Sequence, residues 1–108
     1  MIPAFVSQSP EASRPEHLYR PHPGEVFKRR CLSKTELTQK EVAEKMGISP
    51  KHLSRFINGH VQVEITLARK LESVTNISAG AWLHYQTAYD LYKTANMNLE
   101  KKPIYRFG

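Results

Sequence analysis

Residues 46–56, MGISPKHLSRF, join the end of one short helix to the start of another. Gly47 suits the left-handed conformation that stops a helix, because it has no Cβ to clash there. Ser49 is a good N-cap and Pro50 a good first residue, so a new helix begins after a break of only three residues, 47–49. Ile48, inside the break, can plug into a core. Upstream, Thr38-Gln39-Lys40-Glu41 fits a capping box, in which Thr38 caps and Glu41 reaches back. Val42, Ala43 and Met46 then share one face of that earlier helix. The later helix runs to about Asn58, where Asn-Gly signals a turn. At about 100° per residue its Leu53, Phe56 and Ile57 fall together. Lys51, Arg55 and Asn58 fall opposite, with His52 and Ser54 on the flanks.

Working outward, residues 1–22 hold four of the seven prolines and little helical pattern, so they read as an irregular arm. HPGEVF, 22–27, looks like a helix start: Pro23 loses no hydrogen bond at the first position and Glu25 suits the positive end of the dipole. Val26, Phe27, Cys31 and Leu32 give this helix an apolar side, while the run Lys28-Arg29-Arg30 reads as a solvated face. Residues 65–75 carry Leu67, Ala68, Leu71 and Val74 at core spacing, and Asn76 can end that helix. Ser78 can cap a last helix through about Ala95. Trp82, Tyr85, Gln86, Tyr89 and Tyr92 lie on one stripe of it; Trp82, Tyr85 and Tyr89 are expected to serve the core and a dimer contact. In the tail, IYRF could pair as a short strand. The expected fold is all-α, a five-helix domain over 23–95 between an arm, 1–22, and a tail, 96–108.

The chain has 108 residues, a net charge of +6 and a pI near 9.6, which favours polyanionic partners. Hydrophobic residues make up 40%, enough for a small core. No run approaches the roughly 18 apolar residues of a membrane span. The first residues lack the basic region and apolar stretch of a signal peptide, and the single Cys31 cannot form an internal disulfide. A cytoplasmic setting fits best. Enzymatic chemistry finds no support. Cys31 sits on an apolar side, the five histidines lack metal-ligand spacing, and no Gly-rich phosphate loop appears, so no catalytic residue, metal or cofactor is expected.

Two short helices joined at a steep angle by three residues make the helix-turn-helix arrangement used to read DNA. Lys51 and Arg55, four residues apart, can reach neighbouring base pairs in a major groove, where arginine binds guanine O6 and N7 with two hydrogen bonds. Gln39 can donate to a phosphate and fix the docking register. Asn58 and His60 suit phosphate contacts too, although turn and capping chemistry explains Gln39, Asn58 and His60 as well. Because one such unit reads a half-site, a homodimer on a two-fold operator is expected.

LTQKEVAEKMGISPKHLSRFINGH, 37–60, resembles the helix-turn-helix of phage repressors, Cro proteins and the wider Xre group. HPGEVF near the start and WLHYQTAYDL, 82–91, narrow the resemblance to HigA-type antitoxins, also called VapI-like, the DNA-binding half of HigBA toxin–antitoxin operons. It spans residues 22–92 without an obvious gap. The resemblance implies a five-helix domain, a homodimer, a palindromic double-stranded operator and neutralisation of a HigB-type mRNA-cleaving toxin. The DNA-reading positions it carries over are Gln39, Ser49, Pro50, Lys51 and Arg55; with the flanking His52, Ser54 and Asn58 they form the expected interface. Departures fall at helix ends and are expected to weaken them by about 1 kcal/mol each at most: Glu36 where the family often has Gly, Glu64 where Ser or Thr usually caps, and Ser78-Ala79-Gly80-Ala81 in place of Pro and Glu. A stand-alone Xre regulator without a toxin is the alternative. A small upstream reading frame for a basic RNase-like protein would separate the two.

Overall fold

The computed structural model describes residues 15–105. Five helices follow one another: α1 Pro23–Arg30, α2 Gln39–Met46, α3 Pro50–Ile57, α4 Ile65–Thr75 and α5 Ala79–Lys93, with a 3-10 turn Leu32–Lys34 after α1. Among the described residues there is no strand.

Each boundary has a local cause. Thr38 Oγ1 accepts the Glu41 amide at 3.1 Å and Glu41 accepts the Thr38 amide at 2.8 Å, which closes the capping box of α2. Gly47 ends that helix at φ 74°, in the left-handed region where a side chain would be strained. Ser49 opens α3 by accepting the His52 amide at 3.0 Å, with Pro50 following at the first helical position. Asn76, at φ 62°, closes α4, and Ser78 caps α5 through the Ala81 amide at 3.0 Å.

Two expectations change. Glu64, where a weaker cap was expected, receives two amides at the head of α4, from Thr66 at 2.9 Å and Leu67 at 2.7 Å. Both carboxylate oxygens are used, so this departure satisfies two of the orphan donors of the first turn. IYRF does not form a strand where it is described. Ile104 and Tyr105 lie in a bend and are exposed, while Arg106 and Phe107 fall outside the described residues. The end of the arm, residues 15–22, has no helix or strand, yet it docks. Tyr19 meets Tyr92 edge-on at 5.6 Å and gives its hydroxyl to Glu25 at 2.8 Å.

The helices enclose one core of Phe27, Leu53, Phe56, Leu67, Leu71 and Trp82, all essentially without exposed surface. α3 packs on α1 and α2, α2 also packs on α4, and α5 lies across α4 and α1. The short α3 is thus fixed on its inner side and open on its outer side.

Candidate nucleic-acid interface

On α3, Leu53 and Phe56 have no exposed surface and Ile57 has 9%, so one face of the helix is core. Lys51, Arg55 and Asn58 are exposed, and His52 and Ser54 are half-buried between the two faces. Gln39, first residue of α2, is exposed as well. Among the described residues Lys51, Arg55 and Gln39 make no side-chain hydrogen bond or ion pair. Charged and amide groups presented on a rigid helix without an internal partner keep their full hydrogen-bonding capacity for an external one.

The remaining predicted residues are partly occupied. Ser49 and Pro50 build the start of α3, and the Ser49 hydroxyl is used by the His52 amide. Asn58 Nδ2 donates to the Ser54 carbonyl at 2.9 Å and lies 3.5 Å from the Ser54 hydroxyl, which closes the last turn of α3. The His60 amide donates to the Arg55 carbonyl at 2.8 Å, leaving the exposed His60 ring at the mouth of the following turn. Capping chemistry therefore claims Asn58 and part of Ser54.

Sequence reasoning missed the supports behind α3. A Cβ on Gly24 would fall on the Phe56 carbonyl oxygen and 2.8 Å from its carbon, so α1 presses its backbone directly against the last turn of α3. The signal was there, since glycine is a poor helix former in a helix's first turn unless something must come close. Gln86 of α5 is buried; its Oε1 accepts the Val63 amide at 2.8 Å and its Nε2 donates to Asp90 at 2.9 Å, tethering the chain that leaves α3. Lys70 of α4 donates to the Gly47 carbonyl at 3.4 Å, on the turn between α2 and α3. Nothing local in the sequence announces these two.

The dimer expectation is altered at one residue. Trp82 has no exposed surface, and its indole N–H donates to Thr75 at 3.3 Å, so it belongs to the core and offers nothing to a second copy. Tyr85 and Tyr89 are half-buried: Tyr85 stands edge-on to Trp82 at 5.4 Å and accepts from Arg30 at 3.3 Å, while Tyr89 meets His22 at 5.0 Å. Burial pushes the Cys31 thiol up, away from the reactive thiolate. Among the described residues no cluster of three or more His, Cys, Asp or Glu could hold a metal ion, and no helix is long and apolar enough to cross a membrane.

A capped helix, a three-residue turn and a second capped helix with a basic outer face define a helix-turn-helix protein. The comparisons agree. A helix-turn-helix family model matches residues 28–82. The antitoxin HigA-1 of Vibrio cholerae is 34% identical over 86 residues, which covers 76% of this chain and 81% of the relative. Virulence-associated protein I of Dichelobacter nodosus is 29% identical over 70 residues, 65% of each chain. Among solved structures, PA4674 of Pseudomonas aeruginosa, crystallised with its operator DNA, shares the fold with a TM-score of 0.70 at 20% identity, over 75% of this chain and 87% of that one. The chain belongs to the HigA-type antitoxins of the helix-turn-helix family.

Proposed function

We propose that this protein is a cytoplasmic homodimer that places α3 of each protomer in the major groove of a palindromic operator, represses its own operon and neutralises a HigB-type mRNA-cleaving toxin. One observation carries the DNA reading: Lys51 and Arg55 stand exposed and unpaired on the face of α3 opposite to Leu53 and Phe56. Arg55 is assigned to a base edge and Lys51 to a neighbouring base or phosphate. Gln39 is assigned to a phosphate, with the Ser49–Pro50 helix start and His52, Ser54 and Asn58 lining the contact. Outside α3, Tyr85 and Tyr89 are assigned to the dimer contact. The net charge of +6 supports a polyanionic partner. Toxin neutralisation is supported by the 34% identity to the antitoxin HigA-1. The toxin surface is assigned away from α3, to the 1–22 arm or the basic face of α1, so that toxin and DNA can be held together.

Footprinting on the DNA around the chain's own coding region, with and without the product of the neighbouring gene, tests this reading. A protected two-fold site that responds to the neighbour's product is expected. Protection that ignores that product supports a stand-alone regulator, and absence of any footprint removes the operator reading.

A further inference from the structure

The run Lys28-Arg29-Arg30 reads in sequence as one basic face, but the fold divides it between two grooves. Lys28 and Arg30 stand about 200° apart around α1. Arg30 lines a groove with Arg20 of the arm and with His84 and Tyr85 of α5, and it donates to the Tyr85 hydroxyl at 3.3 Å. Lys28 lines a different groove, where α1 and the connection after it meet the start of α2, with Leu32, Ser33, Leu37 and Gln39. Arg29 borders both and is held by Glu25 at 2.9 Å.

The polar groups of this second groove are unequally occupied. Ser33 gives its hydroxyl to the Arg29 carbonyl at 2.6 Å. Lys28 and Gln39 are both exposed, and among the described residues neither makes a side-chain hydrogen bond or ion pair. No carboxylate among the described residues lines the groove. Leu32 and the exposed Leu37 give it an apolar wall, along which the Lys28 stem can lie while its ammonium stays at the mouth.

We propose that this groove is a seat for the operator backbone, in which Lys28 binds a phosphate of the strand that Gln39 touches. This rests on the operator reading above, which assigns Gln39 to a phosphate. A strand held at Gln39 continues past it with a negative charge at every nucleotide, and the groove beside Gln39 offers it an uncommitted cation. The contact extends the DNA surface from α3 and α2 to α1. It carries no sequence information, because a phosphate contact positions the protein without reading bases. Of the basic face of α1 assigned above to the toxin, it takes Lys28 for DNA. Arg30 stays with the arm and α5, on a groove to which α2 and α3 contribute no residue.

The test titrates the full chain, across a range of salt, with the DNA immediately upstream of its own coding region and with a scrambled duplex of equal composition. Wild type is compared with three variants. Lys28→Gln removes the charge, Lys28→Arg keeps it, and Lys101→Gln makes the same loss of charge in the exposed tail. Lys28→Gln should weaken both duplexes by a similar factor and lower the slope of log affinity against log salt by roughly one for each Lys28 in contact. Lys28→Arg and Lys101→Gln should keep the wild-type slope, and all three should melt close to wild type. Ethylation interference locates the contact: Lys28→Gln should lose one phosphate per half-site that wild type requires, on the strand that also loses one in Gln39→Ala. A wild-type slope in Lys28→Gln overturns the proposal. So does an equal fall in Lys101→Gln, which would show only the field of the net charge. Loss of binding to the neighbouring gene's product in Lys28→Gln, with the slope kept, overturns it too and gives the groove to a protein partner. A wild type that fails to discriminate between the two duplexes overturns the operator reading beneath it.

Discussion

α3 and α5 are both amphipathic, and each gives one face to the same core, yet they differ in what the rest of the helix does. Outside its core face α3 carries Lys51 and Arg55, which find no partner among the described residues. α5 carries Tyr85, Gln86, Tyr89 and Tyr92, and each of these is occupied within the protomer, by Arg30, by Val63 and Asp90, by His22 and by Tyr19 respectively. A surface donor with no internal partner can be given to a ligand without first breaking anything. A side chain already engaged within the protomer holds the scaffold, and the half-buried Tyr85 and Tyr89 can meet a second copy only with the surface they leave exposed. On this difference we propose α3 as the working helix and α5 as its support, although α5 is nearly twice as long.

The comparison breaks most visibly at Trp82. Trp82→Ala removes a fully buried indole and should destabilise the fold by about 3–5 kcal/mol, measured by denaturant unfolding. A loss confined to dimerisation, with the protomer's stability unchanged, would mean that α5 is not the support described. Next in size, Arg55→Ala should leave unfolding unchanged but cost about 1–3 kcal/mol on the operator and relax preference at one base position per half-site. Equal loss on every operator variant would reduce Arg55 to a backbone anchor.

Lys51 and Gln39 sharpen the comparison within the working surface. Should Lys51 bind a phosphate, Lys51→Ala lowers the slope of log affinity against log salt by roughly one. Gln39→Ala should weaken all sequences by a similar factor and leave that slope alone, since a neutral amide releases no counterion. Titrations at two salt concentrations distinguish them. The smallest effect belongs to Glu64, outside both helices. Amides of Leu67 and Thr66 hold its carboxyl below the usual carboxylate range, so its contribution is present above that range and lost as pH falls through the lowered value. Glu64→Gln should make the melting temperature less sensitive to acid, with DNA binding at neutral pH untouched. An unchanged acid profile would show that the cap seen at α4 adds nothing in solution.

Much of this was legible in the chain. Thr38 with Glu41, Gly47, Ser49 with Pro50, and Asn76 all act within a few residues of themselves, so the helix ends could be read from local chemistry. The exposure of Lys51 and Arg55 was legible too, because helical periodicity alone places them opposite to Leu53 and Phe56. Glu64 was misjudged as a weaker cap because family usage favours shorter side chains there, whereas a carboxylate can accept two amides at once.

By itself the sequence determined five helices, the three-residue turn and the basic outer face of α3, since propensity, capping and periodicity involve neighbours in the chain. Only the tertiary structure decided which groups stay unpaired and what holds α3 in place. Trp82 was assigned to core and interface alike until packing enclosed it completely. Gly24 against the Phe56 carbonyl, and Gln86 reaching Val63 across 23 residues of chain, are contacts between segments that meet only on folding. No local rule encodes such meetings, because they depend on how the helices pack against one another, and that packing is settled by the core as a whole.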